Sequence, residues 1–193
     1  MRIAILLIIT LFLASCGPTY VRGSEEPELD EYAMSTGLDK KDLEKLLDEN
    51  MNSMMSSAVI AEWKKESPPP IVAIFPIANE TSEHVSNELS ALLSDIETRM
   101  INGGMAQVVS REKQDALIQE VRKQQGGAFD SSQGAVYGRQ LGAKFFITGK
   151  VYDTSERTED EKRVQYYLFM QIIDVETGLV RWQNKAELTK GIL

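Results

Sequence analysis

Between Phe145 and Leu188 three strand-patterned segments follow one another with no helical stretch between them. Consecutive strands on short connections pair antiparallel, so this part of the chain must supply the centre of a sheet. The first segment is 145–152. A charged connection over 153–162 leads to the second, 164–174, and Val175-Glu176-Thr177-Gly178 turns the chain into the third, 179–188. In the third, Val180, Trp182, Ala186 and Leu188 alternate with Arg181, Gln183, Lys185 and Glu187, which predicts one core face and one wet face. In the second, both alternating sets hold large apolar residues, which predicts a strand covered on both sides.

Upstream, Ile71-Val72-Ala73-Ile74-Phe75-Pro76-Ile77 reads as a buried strand, with a turn at Ala78-Asn79-Glu80-Thr81. A helix beginning at Ser82 or Glu83 sets Val85, Leu89, Leu92, Leu93, Ile96 and Met100 on one face and stops at Asn102-Gly103-Gly104. A short strand at 105–109, a helix from Ser110 to Gly126-Gly127, and a third helix from Ser131 or Ser132 to Leu141-Gly142 complete the pattern. The order β-α-β-α-α-β-β-β predicts an α/β domain over 68–193, with a mixed sheet flanked by helices.

An amphipathic helix over 38–67 precedes this domain. Asp39 offers an N-cap, and Leu43, Leu46, Leu47, Met51, Met54, Met55, Ala58, Val59 and Trp63 keep helical spacing for about six turns before Ser67-Pro68-Pro69-Pro70 stops it. The Met residues on this stripe suit either packing on the domain that follows or an adaptable partner-binding face. Residues 16–37, rich in Gly, Pro, Ser and acid, show no apolar period and read as a flexible tether.

The apolar run from Ile3 to Leu13 would make a helix of roughly 17 Å, against a hydrocarbon core of about 30 Å. It is too short to span and has the form of a secretory signal. Its end, Leu13-Ala14-Ser15-Cys16, resembles the lipobox of bacterial lipoproteins, in which the Cys is acylated and the peptide, here 1–15, is removed. Stable anchoring needs more than one acyl chain, and Cys16 is the only thiol that could carry them. Gly17, rather than Asp, follows it, which in the enterobacterial sorting pattern implies the outer membrane. The expected product is a lipid-anchored protein on the periplasmic side of that membrane.

Charge and composition exclude much chemistry. The 193 residues carry 21 Lys and Arg against 29 Asp and Glu, a formal charge of −8, so no cationic footprint for nucleic acid exists. A single Cys and a single His preclude multi-thiolate and His-rich metal sites. Gly142-Ala143-Lys144-Phe145-Phe146-Ile147-Thr148-Gly149-Lys150 suggests a phosphate loop, but its glycines are wrongly spaced and Val151 stands where a magnesium-binding hydroxyl belongs. His84, near Glu80, Glu83 and Glu88, suits a general base less well than a surface residue in a first helical turn. Glu25-Glu26 and Glu159-Asp160-Glu161 read as solvated carboxylates. The reading is therefore non-enzymatic, with no cofactor, metal or small-molecule substrate.

Several segments together resemble the LpoB-type lipoproteins. They are Ser35-Thr36-Gly37-Leu38-Asp39 with Asp42, Pro69-Pro70-Ile71-Val72-Ala73-Ile74 with Asn79-Glu80-Thr81, Gly138-Arg139-Gln140-Leu141-Gly142-Ala143-Lys144 with Thr148-Gly149-Lys150, and Val175-Glu176-Thr177-Gly178-Leu179-Val180-Arg181-Trp182 with Lys185 and Lys190. The resemblance implies an outer-membrane lipoprotein that binds a bifunctional penicillin-binding protein and stimulates its peptidoglycan synthesis. The sheet order is also similar to that of the curli-pore lipoproteins and of the TolB N-terminal domain, which implies an envelope-assembly or secretion accessory as the alternative. Candidate partner contacts are the wet face of the last strand, Arg181, Gln183 and Lys185, and the charged connection with Arg157, Lys162 and Arg163. They set positive charge on an acidic chain.

Overall fold

The computed structural model describes residues 35–111, 114, 142–157 and 162–192. The signal peptide, Cys16, the tether up to residue 34, the acidic triplet 159–161 and most of the two helices expected between 110 and 142 lie outside the described residues. The chain from Ser35 to Leu193 makes one compact unit.

Helix α1 (Lys40–Met55) begins where the sequence places its cap. The Asp39 carboxylate accepts from the Asp42 N–H at 3.0 Å and the Asp42 carboxylate accepts from the Asp39 N–H at 3.0 Å, a reciprocal capping box. The helix then pauses: Ser56 closes α1 and Ser57 caps a second short helix, α2 (Ala58–Trp63). The apolar stripe is core except at Met55 and Ala58. Leu43, Leu46, Leu47, Met51 and Met54 of α1 and Val59, Ile60 and Trp63 of α2 are all buried in one cluster with the sheet, whereas Met55 is 37% exposed and Ala58, turned outward where the helix restarts, is exposed as well. Each of these large side chains contributes about 1.5–3 kcal/mol of burial.

Strand β1 (Ile71–Ile74) and a two-residue strand, β2 (Ala78–Asn79), precede helix α3 (Ser86–Asn102); β3 (Gln107–Val108) follows it. Sequence spacing starts α3 earlier than the structure does. Asn79 explains the delay, because its side chain accepts from the Thr81 N–H and hydroxyl and donates to the Glu83 carbonyl, holding 79–83 in a turn. The C-terminal stop is as the sequence reads, with Gly104 at φ 62, a left-handed conformation that glycine adopts without strain. The strand expected over 105–109 narrows to Gln107–Val108, and the turn at Ala78-Asn79 pairs with the sheet.

Three long strands complete the sheet: β4 (Phe145–Arg157), β5 (Lys162–Asp174) and β6 (Val180–Ile192). The order is β3-β1-β4-β5-β6, with β1 parallel to β3 and β4, β2 parallel to β4, and β4-β5-β6 antiparallel. The mixed sheet flanked by helices is the architecture that the sequence predicts. In the three long strands, three sequence expectations need correction. The charged connection read over 153–162 is largely strand, because Asp153 through Arg157 pair in register with Tyr166 through Lys162. The last strand runs on to Ile192 rather than stopping at Leu188, since pairing with β5 continues to Lys162. Val180 is 48% exposed rather than core, because the register irregularity at Ile172/Ile173 lies beside it at the hairpin end.

Helix α1 packs on β5, β6 and α3, covering one face of the sheet. On that side Val164, Tyr166, Leu168, Met170 and Ile172 are buried. The alternate residues of β5, from Gln165 to Ile173, are only half-buried. The covering expected on both sides of this strand is therefore incomplete on its second side.

Candidate functional site

The face of the sheet opposite α1 is organised in rows by strand register. One row is Lys150–Phe169–Lys185, a phenylalanine between two lysines. The next is Tyr152–Tyr167–Glu187, and the row on the other side is Thr148–Gln171–Gln183. Tyr152 and Tyr167 stack with ring centroids 5.0 Å apart and planes 21° apart. Lys150 Nζ lies 5.3 Å from the Tyr152 ring centre and Lys185 Nζ lies 4.7 Å from that of Tyr167. Cations at these distances are attracted by the ring faces and are held over them. Lys150 Nζ also pairs with Glu80 at 2.9 Å.

This arrangement has the chemistry of a protein-binding surface. Aromatic rings with polar tips supply area, and the ammonium groups supply direction and charge. Among the described residues no group of His, Cys, Asp and Glu could hold a metal ion. His84 is exposed on the surface, and Gly149 serves strand packing rather than a phosphate: a Cβ there would lie 2.6 Å from the Phe169 carbonyl oxygen.

The structure divides the contacts named from sequence into two groups. Arg181, Gln183 and Lys185 are exposed along β6, with Gln183 and Lys185 in the open-face rows and Arg181 at the register irregularity. Arg181 is engaged, its Nη2 lying 2.6 Å from Glu62 Oε2. Arg163 stands opposite Gly191, and Arg157 opposite Lys162, at the far end of the β5–β6 and β4–β5 ladders. At roughly 3.3 Å per residue, some 30 Å separates Arg163 from Arg181 along β6. They do not form one patch. The residues that sequence reasoning missed are Lys150, Tyr152, Tyr167 and Phe169. Their period-two spacing was visible, but large aromatic residues on both sides of β5 read as burial.

A second cluster lies at the start of α1. Lys190 Nζ, on a side chain only 8% exposed, donates to the Gly37 carbonyl at 2.8 Å and to carboxylate oxygens of Asp39 at 2.8 Å and Asp42 at 2.7 Å. Burial by itself lowers the pKa of this ammonium, but the hydrogen bonds and charges of Asp39 and Asp42 outweigh it, and the net shift is upward. Asp39 answers in the opposite sense: burial raises it, but the hydrogen bonds from Lys190 and Asp42 and the Lys190 charge together outweigh burial, and its carboxyl ends below the ordinary value. Tyr166 donates to the Thr36 carbonyl at 2.8 Å, and burial together with the Glu83 charge pushes its phenol up to about 12. These contacts hold the backbone of residues 36–37 to the sheet.

The family model described as "Peptidoglycan-synthase activator LpoB" matches residues 42–188. The chain belongs to the LpoB family. The match begins inside α1 and ends within β6, so it takes in the helix as well as the sheet. The LpoB C-terminal domain from Salmonella enterica aligns at 17% identity with a TM-score of 0.51, covering 76% of this chain and 98% of that one. This likeness shows the shared fold. The LpoB C-terminal domain from Escherichia coli aligns at 14% identity and TM-score 0.48, covering 75% and 98% of the two chains. Lipoprotein GNA1162 from Neisseria meningitidis aligns at 16% and 0.44, covering 64% and 84%. No curated protein sequence matches the chain. Among the described residues no helix is long and apolar enough to cross a membrane.

Proposed function

We propose that this LpoB-family chain is a lipid-anchored outer-membrane protein that binds a bifunctional penicillin-binding protein and raises its rate of peptidoglycan synthesis. The observation that carries the reading is the family match over 42–188, to a family named for peptidoglycan-synthase activation. Cys16 bears the anchor, 1–15 is the signal peptide, 16–37 the tether, and the helix and sheet together form the binding body. The docking surface is the row Lys150–Phe169–Lys185 with Tyr152, Tyr167 and Gln183. Activation requires that this surface bind the working conformation of the synthase better than the resting one.

Packing of α1 on the sheet limits reach. A free helix over 39–66 would extend the tether by roughly 42 Å, and a packed one does not. With residues 36–37 held to the sheet, the tether available from Gly17 to Ser35 spans at most about 65 Å, so the synthase must present its docking domain well above the inner membrane.

The test is capture of each bifunctional penicillin-binding protein of the host by the full chain, followed by a glycan-polymerisation assay of any complex. Capture with faster polymerisation supports the reading; capture of none, with the protein folded, overturns it. Charge reversal at Lys150 and Lys185 is expected to weaken capture at least tenfold at low salt and less at high salt.

A further inference from the structure

Among the described strands, β6 is the outermost of the sheet over its whole length, Val180–Ile192. Among the described residues no backbone hydrogen bond reaches its outward side. A bare edge this long accepts another strand unless its side chains forbid it. The wet face of β6 carries Lys185 and Glu187 two positions apart, and both are exposed. That spacing decides which strand fits.

We propose that β6 pairs antiparallel with β6 of a second copy of this chain, about a two-fold axis through Ala186. Directly opposed residues in an antiparallel pair point to the same side of the sheet, so the axis must pass through a residue position for core and wet faces to continue across the junction. Centring on Lys185 sets ammonium against ammonium, and centring on Glu187 sets carboxylate against carboxylate. Centring on Ala186 opposes Lys185 of each copy to Glu187 of the other, twice, and Gln183 to Thr189. The irregularity beside Val180 confines regular alternation to the strand from Trp182 onward, and about Ala186 the stretch from Trp182 to Lys190 of one copy pairs in full with the same stretch of the other. Face continuity and charge complementarity thus select the same alignment. A two-fold interface of this kind is closed and leaves no further edge at that side.

Light scattering of the full chain in detergent, with the detergent mass subtracted, should show a concentration-dependent rise from one protein mass to two. Lys185→Glu and Glu187→Lys should each weaken the association about tenfold, since each replaces two cross-strand attractions by two repulsions. The double exchange should restore it. Melting of every variant as for the parent chain confirms that the fold is intact. A chain that stays at one mass at all concentrations overturns the proposal, as do equal masses in all four proteins or a double variant as weak as the single ones.

Discussion

Lys190 Nζ sits 2.7 Å from Asp42 Oδ2, joining the end of β6 to the first turn of α1 across 148 positions of sequence. Asp42 is also half of the α1 capping box, so one carboxylate serves the helix start and the sheet at once. Replacing Lys190 by Met keeps the stem and removes the donor, leaving two carboxylates to face each other without a cation. The expected cost is about 2 kcal/mol, discounted because Asp39 is 46% exposed in its side chain. Urea unfolding measures it, and hydrogen exchange should show faster opening of residues 37–43.

Acid should act through this cluster and through the β5–β6 turn, where Asp174 accepts from Thr177. Asp39 is held below its ordinary 3.8, and Asp174 is lowered chiefly by the N–H of Thr177. A depressed carboxyl contributes stability that is present above the unfolded pKa and lost as pH falls through the folded one. Lys190 is raised, so its contribution is whole below 10.5 and lost as pH rises through the higher folded value. Stability should therefore form a plateau between these limits. Asp39→Asn should make the acid flank shallower and leave the neutral region with a smaller, constant loss; an unchanged acid slope in unfolding curves would count against this assignment.

Asn50 is fully buried among the apolar residues of α1. Its side-chain amide donates to the Leu46 carbonyl at 3.0 Å and the Leu168 carbonyl at 2.9 Å, and its oxygen accepts from Asn184 at 3.3 Å. Asn50→Leu has similar volume but removes the helix-to-sheet bond to the Leu168 carbonyl and takes the acceptor from the Asn184 amide. A loss of about 1–3 kcal/mol is expected in thermal or urea melts, where an apolar core position would have gained.

Gly149 faces Met170 in the β4–β5 ladder. An added Cβ would meet the Phe169 carbonyl oxygen at 2.6 Å and Met170 Cγ at 3.2 Å. Because the nearer atom is backbone, Gly149→Ala must shift a central strand, and about 1–3 kcal/mol of stability should be lost. The displaced backbone is that of Phe169, beside Lys150, so partner capture should fall together with stability; an unchanged urea midpoint would contradict this account.

Tyr167→Ala removes the ring that stacks on Tyr152 and lies under Lys185. Capture of a synthase should fall by tenfold or more, with the melting temperature lowered only a few degrees. Arg181→Glu tests the sequence-based patch separately. Its guanidinium already pairs with Glu62, and it should affect capture less than Tyr167→Ala.

What local sequence determines in this protein is each element taken singly. The capping box at Asp39 and Asp42, the stripe from Leu43 to Trp63, the Gly103-Gly104 stop and the turn at 175–178 all act between residues a few positions apart, so their spacing can be read directly. The chain also declares its family through short segments distributed along it. Strand length was legible only in part, because charged residues such as Asp153 and Arg163 adopt extended structure through the partner they pair with rather than through their own pattern. Tertiary structure alone decided which side of β5 lies open, because aromatic residues occur on both sides and only the seat of α1 distinguishes them. It also decided the burial of Lys190, a cation that hydrophobic patterning assigns to solvent and that three oxygens more than 140 residues away hold inside. Contacts of that separation leave no period in the sequence, and the fold has to bring them together before their chemistry can be seen.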